Sequence, residues 1–460
     1  MLNSSMSRRD ALKNVLTKLA VGAASLPVVE AMSQGVIRAN PLQAAQPEFE
    51  SLVRARIPKE SLFLHLGNTL GSMIELEDGS LLSVSSSGRS ISSDGGTTWT
   101  APEPLRDVKG RELPRRPENL VRLKSGGVGG FFHIAGEETK YGLSPWFSRS
   151  DDGGKSWSQF VRVGEPYNNA VMHDAIVTSK GRIVLPVYKL VGKVARQKGR
   201  ALYRDRLVRV GHHSYELFFT YCWVYYSDNE GETWHTNKGK GVWGTGGELL
   251  VTLDYGAGGH YRCNEPVVAE VSPDHLLMFL RTPLGRLYQS WSDDDGTSWS
   301  RPEPTALASS LAPAALERIP GTDDLLAIWN QASAAEIEMG LQRFRLSSAV
   351  SKDGGATWKH GRNVFFQKED DVTYVEPPPI RAYRAMEHAP RLAPNDLIAT
   401  YPWVSFWKDR TIIRHRCEEI SRLDWETYNR NYDRKSGSPE IELGISTSAC
   451  IGLPTAWFYG

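Results

Sequence analysis

The stretch Ser292-Asp-Asp-Asp-Gly-Thr-Ser-Trp299 is one of five copies of an eight-residue pattern, S-x-[DN]-x-G-x-[TS]-W. The other copies are Ser92–Trp99, Ser150–Trp157, Ser227–Trp234 and Ser351–Trp358. In each copy the Asp or Asn side chain is suited to bond backbone amides of its own turn. The glycine allows a left-handed backbone, and the tryptophan can pack beneath the turn. This recurrence predicts a fold built from repeated units.

A second pattern, two apolar strands joined by a short polar turn, alternates with the octets and occurs six times. Its copies are Met73–Leu82, Leu120–Gly126, Ala175–Val184, Val267–Leu280, Ala315–Leu326 and Arg391–Ile398. Six strand-rich units of this size favour radial stacking, because one four-stranded sheet cannot cover both of its own faces. The predicted fold is therefore all-β: a six-bladed β-propeller of four-stranded antiparallel blades.

The overall charge gives little indication of a partner. The chain has 460 residues, with 54 basic and 53 acidic side chains and a formal net charge of +1. No overall field therefore favours nucleic acid or an anionic membrane surface. The 42 glycines, 26 prolines and 14 tryptophans are typical of many short strands and turns rather than of helices.

The N-terminal residues carry a different signal. Ser7-Arg8-Arg9-Asp10 precedes a mildly apolar run from Val15 to Val29, an arrangement that resembles a twin-arginine export signal. An amphipathic N-terminal helix is the alternative. No later stretch approaches the ~20 apolar residues that a membrane span needs. We therefore expect an exported protein, periplasmic or secreted, without a membrane span in its mature chain.

Three segments follow from these patterns. Residues 1–45 are assigned to the export signal and a linker, 46–430 to the propeller, and 431–460 to a C-terminal tail. Within the propeller, residues 189–221 form a basic insertion, which could be a lid over the site or a solvated loop.

Four cysteines occur, and they lack the C-x-x-C spacing of a zinc site. They are Cys222, Cys263, Cys417 and Cys450. Disulfides, with three connectivities, and buried free thiols both remain open.

The hairpin between Glu265 and Arg281 predicts a functional site. A hairpin folds back on itself, so this carboxylate and guanidinium should finish at the same end of the sheet. The equivalent ends of all six hairpins should line one mouth of the propeller. The residues nominated by position are His65, Asn68, Ser85, Arg116, Glu118, Asn119, His133, His173, Asp174, Tyr188, Glu265, Arg281, Asn330, Glu387, His388, Tyr401 and Trp403. Such a rim suits a carbohydrate with a carboxylate, because arginine binds the acid and aromatic rings stack on sugars.

The octets are Asp boxes, and the chain resembles the sialidase superfamily, the BNR or Asp-box repeat proteins, over roughly residues 50 to 425. The resemblance implies an exo-glycosidase that removes a terminal acidic sugar, of sialic or uronic acid type, without a cofactor or metal. Three arginines of such enzymes bind the substrate carboxylate. Here they are matched by Arg281, by Arg343 with Arg345 as the fallback, and by Arg56 with Arg116 as a substitute. The resemblance also implies that Glu265 activates a tyrosine nucleophile in the last blade, for which Tyr374 is the candidate. Tyrosine suits the reaction because a carboxylate nucleophile would be repelled by the substrate's own carboxylate.

One feature of the family pattern is missing. A glycosidase needs a proton donor at the leaving oxygen, and the family places an Asp for this purpose on a loop of blade one. Residues 83–93, which should contain that loop, include no acidic residue. The substitutes are the pair His173-Asp174, Glu118 and His65.

Two other functions are therefore open at the level of sequence. A polysaccharide lyase would use a His and a Tyr to move a proton while an arginine neutralises a uronate, and it needs no such Asp. A glycan-binding propeller without catalysis would also be consistent with the missing acid. In all three cases the partner is an acidic oligosaccharide or glycoconjugate, and no nucleic acid is expected.

Overall fold

The computed structural model describes residues 47–134, 144–164, 171–172, 174–191, 194–203, 206–215, 219–238, 248–249, 251–252, 260–261, 263–338, 341–379, 396–420 and 446–460. The predicted export signal, with Arg8 and Arg9, lies outside the described residues. So do three nominated rim residues, His173, Glu387 and His388.

The fold is the predicted six-bladed propeller of antiparallel sheets. The first strand, β1 (Phe63–Leu66), belongs to the last blade, and the others follow in chain order. Blade one holds β2 (Ser72–Glu75), β3 (Leu81–Ser85) and β4 (Gly88–Ser92), with an isolated bridge from Arg89 to Glu103 in the fourth position. Blade two holds β6 (Asn119–Arg122), β7 (Val128–Ile134), β8 (Ser144–Ser150) and β10 (Val161–Arg162). The short strands β5 (Arg106–Asp107) and β9 (Ser156–Trp157) pair in parallel.

The remaining blades have the same plan. Blade three holds β11 (Val171–Met172) and β12 (Ile176–Val177) beside β13 (Ile183–Val191), then β16 (Phe219–Ser227) and β17 (His235–Thr236). Blade four holds β20 (Asn264–Ser272), β21 (His275–Arg281), β22 (Arg286–Ser292) and β23 (Glu303–Ala308). Blade five holds β24 (Ala314–Arg318), β25 (Leu325–Trp329), β26 (Leu346–Ser351) and β27 (Lys359–Phe365). Blade six holds β28 (Asp396–Trp407), β29 (Arg410–Ile420), β30 (Ser446–Pro454) and β1.

Few elements lie outside the blades. The hairpin of β14 (Val194–Tyr203) and β15 (Arg206–Tyr215) falls within the predicted basic insertion, and β18 (Val251–Thr252) pairs with β19 (His260–Tyr261). The helices among the described residues are α1 (Pro47–Arg54), α2 (Ala334–Glu338) and a 3₁₀ turn at Thr455–Tyr459. Within the described part of the chain, no helix is long and apolar enough to cross a membrane.

Both ends of the propeller domain contribute to closing the ring. The innermost strands contact one another in the order β2, β6, β12, β20, β24, β28 and again β2. Blade six is completed by β1, which pairs along β30. The assignment of residues 431–460 to a tail is therefore wrong. Ser446–Pro454 is an internal strand of blade six, and Trp457 and Phe458 are buried in the core between blades five and six.

The Asp boxes have the internal bonding that their sequence predicts. In the first copy, the Ser92 hydroxyl donates to Asp94 Oδ1 (2.8 Å), and the Thr98 amide donates to the same oxygen (2.9 Å). Gly96 has a φ of 86°, and the Trp99 indole donates to its carbonyl (3.0 Å). The hydrogen bonds from the Thr98 side chain and amide lower the pKa of Asp94 to about 2. The boxes are therefore self-contained turns, and their polar groups are used by the scaffold.

All four cysteines are free and buried. Burial raises the pKa of Cys450 to about 12 and raises that of Cys222 well above its usual range. Because the thiolate is the reactive species, we expect no reaction of the native protein with a thiol-specific disulfide reagent. Four thiols should appear after unfolding in denaturant without reductant. Two missing thiols under those conditions would instead reveal a disulfide.

Candidate active site

The innermost strands of blades four and six, β20 and β28, each contain a β-bulge next to a proline. Glu265 in β20 has a φ of 46° and precedes Pro266, while Tyr401 in β28 has a φ of 54° and precedes Pro402. The strand pairing shifts at both places, between Asn264 and Val267 and between Thr400 and Trp403. Proline lacks the amide that the ladder needs, so each bulge forms where proline interrupts the pairing. A left-handed φ at a non-glycine residue costs about 1–3 kcal/mol and is concentrated at functional sites.

The two bulges bring Glu265 and Tyr401 together. The Tyr401 hydroxyl donates to Glu265 Oε1 (3.4 Å), and Arg281 Nη1 forms an ion pair with Glu265 Oε2. Glu265 is 7% exposed and Arg281 is 5% exposed. Burial alone would lower the pKa of Arg281, but Glu265 outweighs it and raises the pKa above its ordinary value. The predicted hairpin pair is therefore present, and a tyrosine hydroxyl is its third member.

Two further guanidinium groups approach the Tyr401 ring. Arg343 lies 5.4 Å from the ring centroid and Arg416 lies 5.8 Å from it. The Arg343 carbonyl accepts a hydrogen bond from the Ala399 amide (2.9 Å), which ties blade five to β28 next to the bulge. Arg416 pairs with Thr400 in register, as Arg281 pairs with Asn264. Three arginines from blades four, five and six thus surround one tyrosine.

Blades two and three contribute a second set of polar residues. Asn119 donates to Asp174 Oδ1 (2.8 Å) and accepts from the Ala175 amide (3.1 Å), which fixes the Asp174 carboxylate at the start of β12. Glu118 bonds His133 Nδ1 (2.9 Å). Burial alone would raise the pKa of Glu118, but His133 and Arg116 outweigh it and hold the pKa below its ordinary value. Glu118 is therefore a charged partner of His133 and is poorly suited to donate a proton.

Several predicted residues are placed away from this group. The Tyr374 ring is 55% exposed and packs edge-on against His360 on the outermost strand β27 (4.7 Å). Arg56 follows α1, where its Nη1 donates to the Leu52 carbonyl (3.0 Å). His65 lies on β1 and bonds the Gly96 carbonyl of an Asp box (2.7 Å). The structure brings none of these three to Glu265.

The sequence contains a signal that identifies Tyr401. Asn264-Glu265-Pro266-Val-Val and Thr400-Tyr401-Pro402-Trp-Val share a polar residue, a site residue, proline and a valine at the same spacing. Motif spacing alone nominates Tyr401 only as a rim residue and assigns the nucleophile's role to Tyr374. It does not nominate Arg416 at all, because blade six lacks an Asp box from which to count.

The missing acid of blade one has a structural explanation. Strand β3 ends at Ser85 and β4 begins at Gly88, so the turn between them consists of two residues. This turn lies at the same end as Glu265, since β2 and β20 both begin there and β3 returns to it. A two-residue turn leaves no longer loop between these two strands on which the family's Asp could be carried.

Glu317 on β24 has a partly buried carboxyl group. Burial, together with the charge of Asp174, raises the pKa of Glu317 to about 8. The folded state therefore binds more protons than the unfolded chain from the usual glutamate pKa up to about pH 8, and its stability falls as the pH rises through that window.

We expect Glu317→Gln to reduce this loss of stability with rising pH, measured as Tm between pH 5 and 8. The exposed Glu112→Gln is the control and should retain the wild-type slope; an unchanged slope in Glu317→Gln would contradict the prediction.

Comparison with known proteins identifies the family. Residues 89–412 match the BNR repeat-like domain, which covers more than half of the chain. The chain therefore belongs to the BNR repeat-like family, and the expected membership of the sialidase-like Asp-box proteins is confirmed. The comparison with curated proteins finds no match.

Several solved structures are similar to this chain at low identity. A protein of unknown function from Dyadobacter fermentans DSM 18053 is 15% identical, with 87% of this chain and 97% of that one covered and a TM-score of 0.45. Trypanosoma rangeli sialidase is 13% identical, with 87% and 58% covered and a TM-score of 0.44. NanB sialidase from Streptococcus pneumoniae is 12% identical, with 74% and 68% covered and a TM-score of 0.33. The chain thus spans little more than half of the T. rangeli enzyme.

Proposed function

We propose that this protein is an exported glycoside hydrolase of sialidase type that removes a terminal acidic sugar from a glycan. The observation that supports it best is the contact between the Tyr401 hydroxyl and Glu265 Oε1 within a group of arginines. The proposal replaces Tyr374 by Tyr401 as the nucleophile, because the Tyr401 hydroxyl donates to Glu265 Oε1.

In the proposed reaction, the Tyr401 oxygen attacks the anomeric carbon while Glu265 accepts the phenol proton. The glycosidic carbon–oxygen bond breaks, and the leaving oxygen takes a proton from the His173-Asp174 pair. Water then attacks the anomeric carbon and gives its proton to the His173-Asp174 pair, while the bond to the Tyr401 oxygen breaks and that oxygen takes back the proton held by Glu265. The two displacements together retain the anomeric configuration. Arg281, Arg343 and Arg416 would bind the substrate carboxylate, with Arg416 in the place that Arg56 and Arg116 were expected to fill.

The choice of Asp174 rests on its fixed position. Asn119 orients its carboxylate at the start of the innermost strand of blade three. Glu118 is the weaker candidate because its pKa is lowered.

Export by a twin-arginine signal is part of the proposal, motivated by Arg8-Arg9 and the apolar run after them. The double variant Arg8→Lys/Arg9→Lys keeps the charge of both side chains but removes the arginine pair. It should therefore retain the protein inside the cell, as measured by cell fractionation. Unchanged export of this variant would exclude that route.

The test of the activity is a substrate panel of sialosides and uronic-acid glycosides with product analysis. We expect release of a free acidic sugar, first formed with the configuration of the substrate, as followed by NMR. An unsaturated uronate, detected by its ultraviolet absorbance, would identify a lyase instead. Tight glycan binding without any product would identify a binding propeller, which the two-residue turn of blade one favours over a catalyst of the usual family pattern.

A further inference from the structure

Arg414 is a guanidinium in the mouth that the proposed reaction does not use. It lies on β29, two residues before Arg416 and on the same face of the strand, and its guanidinium stacks over Trp403 at 3.9 Å. Trp403 in turn stacks with Tyr401 (6.1 Å). Blade six therefore has two neighbouring aromatic–arginine pairs: Tyr401 with Arg416 at the proposed nucleophile, and Trp403 with Arg414 beside it.

Arg414 has no anionic partner within the described part of the chain. Its Nε is buried without a hydrogen bond, and the guanidinium forms no ion pair with a described carboxylate. Burial, and then the nearby charge of Arg116, lowers the pKa of Arg414 to about 10, although Asp174 acts in the opposite sense. A partly buried guanidinium whose Nε lacks a hydrogen bond is unfavourable in the free protein, since a buried charge needs a counter-charge and hydrogen bonds.

Arg414 and Arg116 come from two blades that are separated by blade one in the ring. Arg116 precedes β6 of blade two, and Arg414 belongs to blade six. Arg116 is exposed, so solvent and ligands reach this side of the mouth. Among the described carboxylates, Glu265 is paired with Arg281 and Glu118 with His133, while Asp174 accepts a hydrogen bond from the neutral Asn119 amide. The mouth therefore has more cationic groups than a single substrate carboxylate would pair.

We infer that Arg414 and Arg116, with Trp403 as a stacking surface, form a second anion subsite for the sugar next to the one that is cleaved. The substrate is then an acidic glycan with anionic groups on two neighbouring sugars, the second being a carboxylate or a sulfate. This inference rests on the proposed function for the identity of the first sugar. The subsite gives Arg414 an ion-pair partner, which no described carboxylate provides, and arginine pairs with either oxyanion through parallel hydrogen bonds.

The test is equilibrium binding to the full chain carrying Tyr401→Phe, so that no probe is consumed. The probes are glucuronate with one carboxylate, digalacturonate with two, and an unsaturated chondroitin disaccharide with a carboxylate and a sulfate. We expect both two-anion probes, or one of them, to bind more tightly than glucuronate. Arg414→Met should weaken that binding about tenfold or more, as expected for a lost charge-assisted hydrogen bond, and leave glucuronate binding within about twofold. The two-anion probe whose affinity falls more in Arg414→Met shows whether the second anionic group is a carboxylate or a sulfate.

The control is Arg362→Met, which removes an arginine stacked on Trp457 (5.3 Å) outside the mouth. It should leave all three affinities unchanged. Arg414→Lys and Arg116→Met provide further variants should Arg414→Met fail to fold. Equal loss for one-anion and two-anion probes, or no preference for two anions in the parent, overturns the subsite. The proposed hydrolase fails separately, if no glycoside is cleaved by the wild-type protein.

Discussion

Tyr401→Phe is expected to abolish turnover of any glycoside that the wild-type protein cleaves, with kcat lower by at least about 10³-fold. The substitution removes only the hydroxyl that donates to Glu265 Oε1, and it leaves a ring that can still pack with Trp403 and beneath Arg343. Substrate affinity should therefore change little. The measurement is steady-state kinetics on the best substrate of the panel, with direct binding of the free acidic sugar as a second readout.

Tyr374→Phe is the matched control. It removes the hydroxyl of the tyrosine that the sequence favoured, whose ring packs on His360. We expect kcat within about twofold of wild type, since exposed substitutions away from the site have small effects. The opposite result, in which Tyr374→Phe is inactive and Tyr401→Phe is active, would restore the prediction made from sequence. Equal activity in both variants would exclude a nucleophilic role for either tyrosine.

Glu265→Gln complements this pair of variants. If the Glu265 carboxylate accepts the phenol proton, its amide should lower kcat about 10²–10⁴-fold, the usual contribution of a general base. The variant also leaves Arg281 without its buried ion-pair partner. A loss of stability without loss of activity would assign Glu265 to the scaffold alone.

The parts of the site that sequence predicts are those set by local pairing. Glu265 and Arg281 lie on one hairpin only 16 residues apart, so the pairing of its two strands brings them together. Tyr401 is different, because it reaches Glu265 across 136 residues and depends on how the blades close around the axis. The propeller itself was predictable, because each Asp box is bonded within its own eight residues.

The predictions that differ from the structure are those in which a short sequence motif matches the family but lies elsewhere in the fold. Arg56-Ile57-Pro58 has the family's motif, but Val53 and Ile57 are buried in the core formed by blades five and six, so the segment packs against those blades. The strand Ser446–Pro454 was missed because it follows a stretch without a clear pattern, and only its pairing with β1 and β29 reveals its place. The closure of the ring depends on pairing between strands that are far apart in the chain, so a short stretch of sequence cannot reveal it.

Arg343 and Arg345 offer the second large effect, because the two candidates for one role have separable environments. Arg345 is 1% exposed and pairs with Asp371 (2.9 Å) and Glu336 (3.2 Å). Arg343 lies over the Tyr401 ring, and its Nη2 donates to the Leu311 carbonyl (3.3 Å). One arginine therefore joins parts of blade five, and the other faces the proposed nucleophile.

Arg345→Met should lower the free energy of unfolding by about 3–5 kcal/mol, because it leaves two carboxylates beside an apolar side chain. The folded fraction should still cleave substrate with nearly wild-type KM. Arg343→Met should show the reverse: a smaller loss of stability, and kcat/KM lower by about 10–100-fold through the lost charge-assisted bond to the substrate carboxylate. Urea denaturation and steady-state kinetics on both variants make the comparison. If Arg345→Met instead raises KM while Arg343→Met keeps the wild-type KM, the fallback prediction from sequence is the correct assignment. Loss of the arginine that binds the substrate carboxylate should weaken substrate binding in the folded protein.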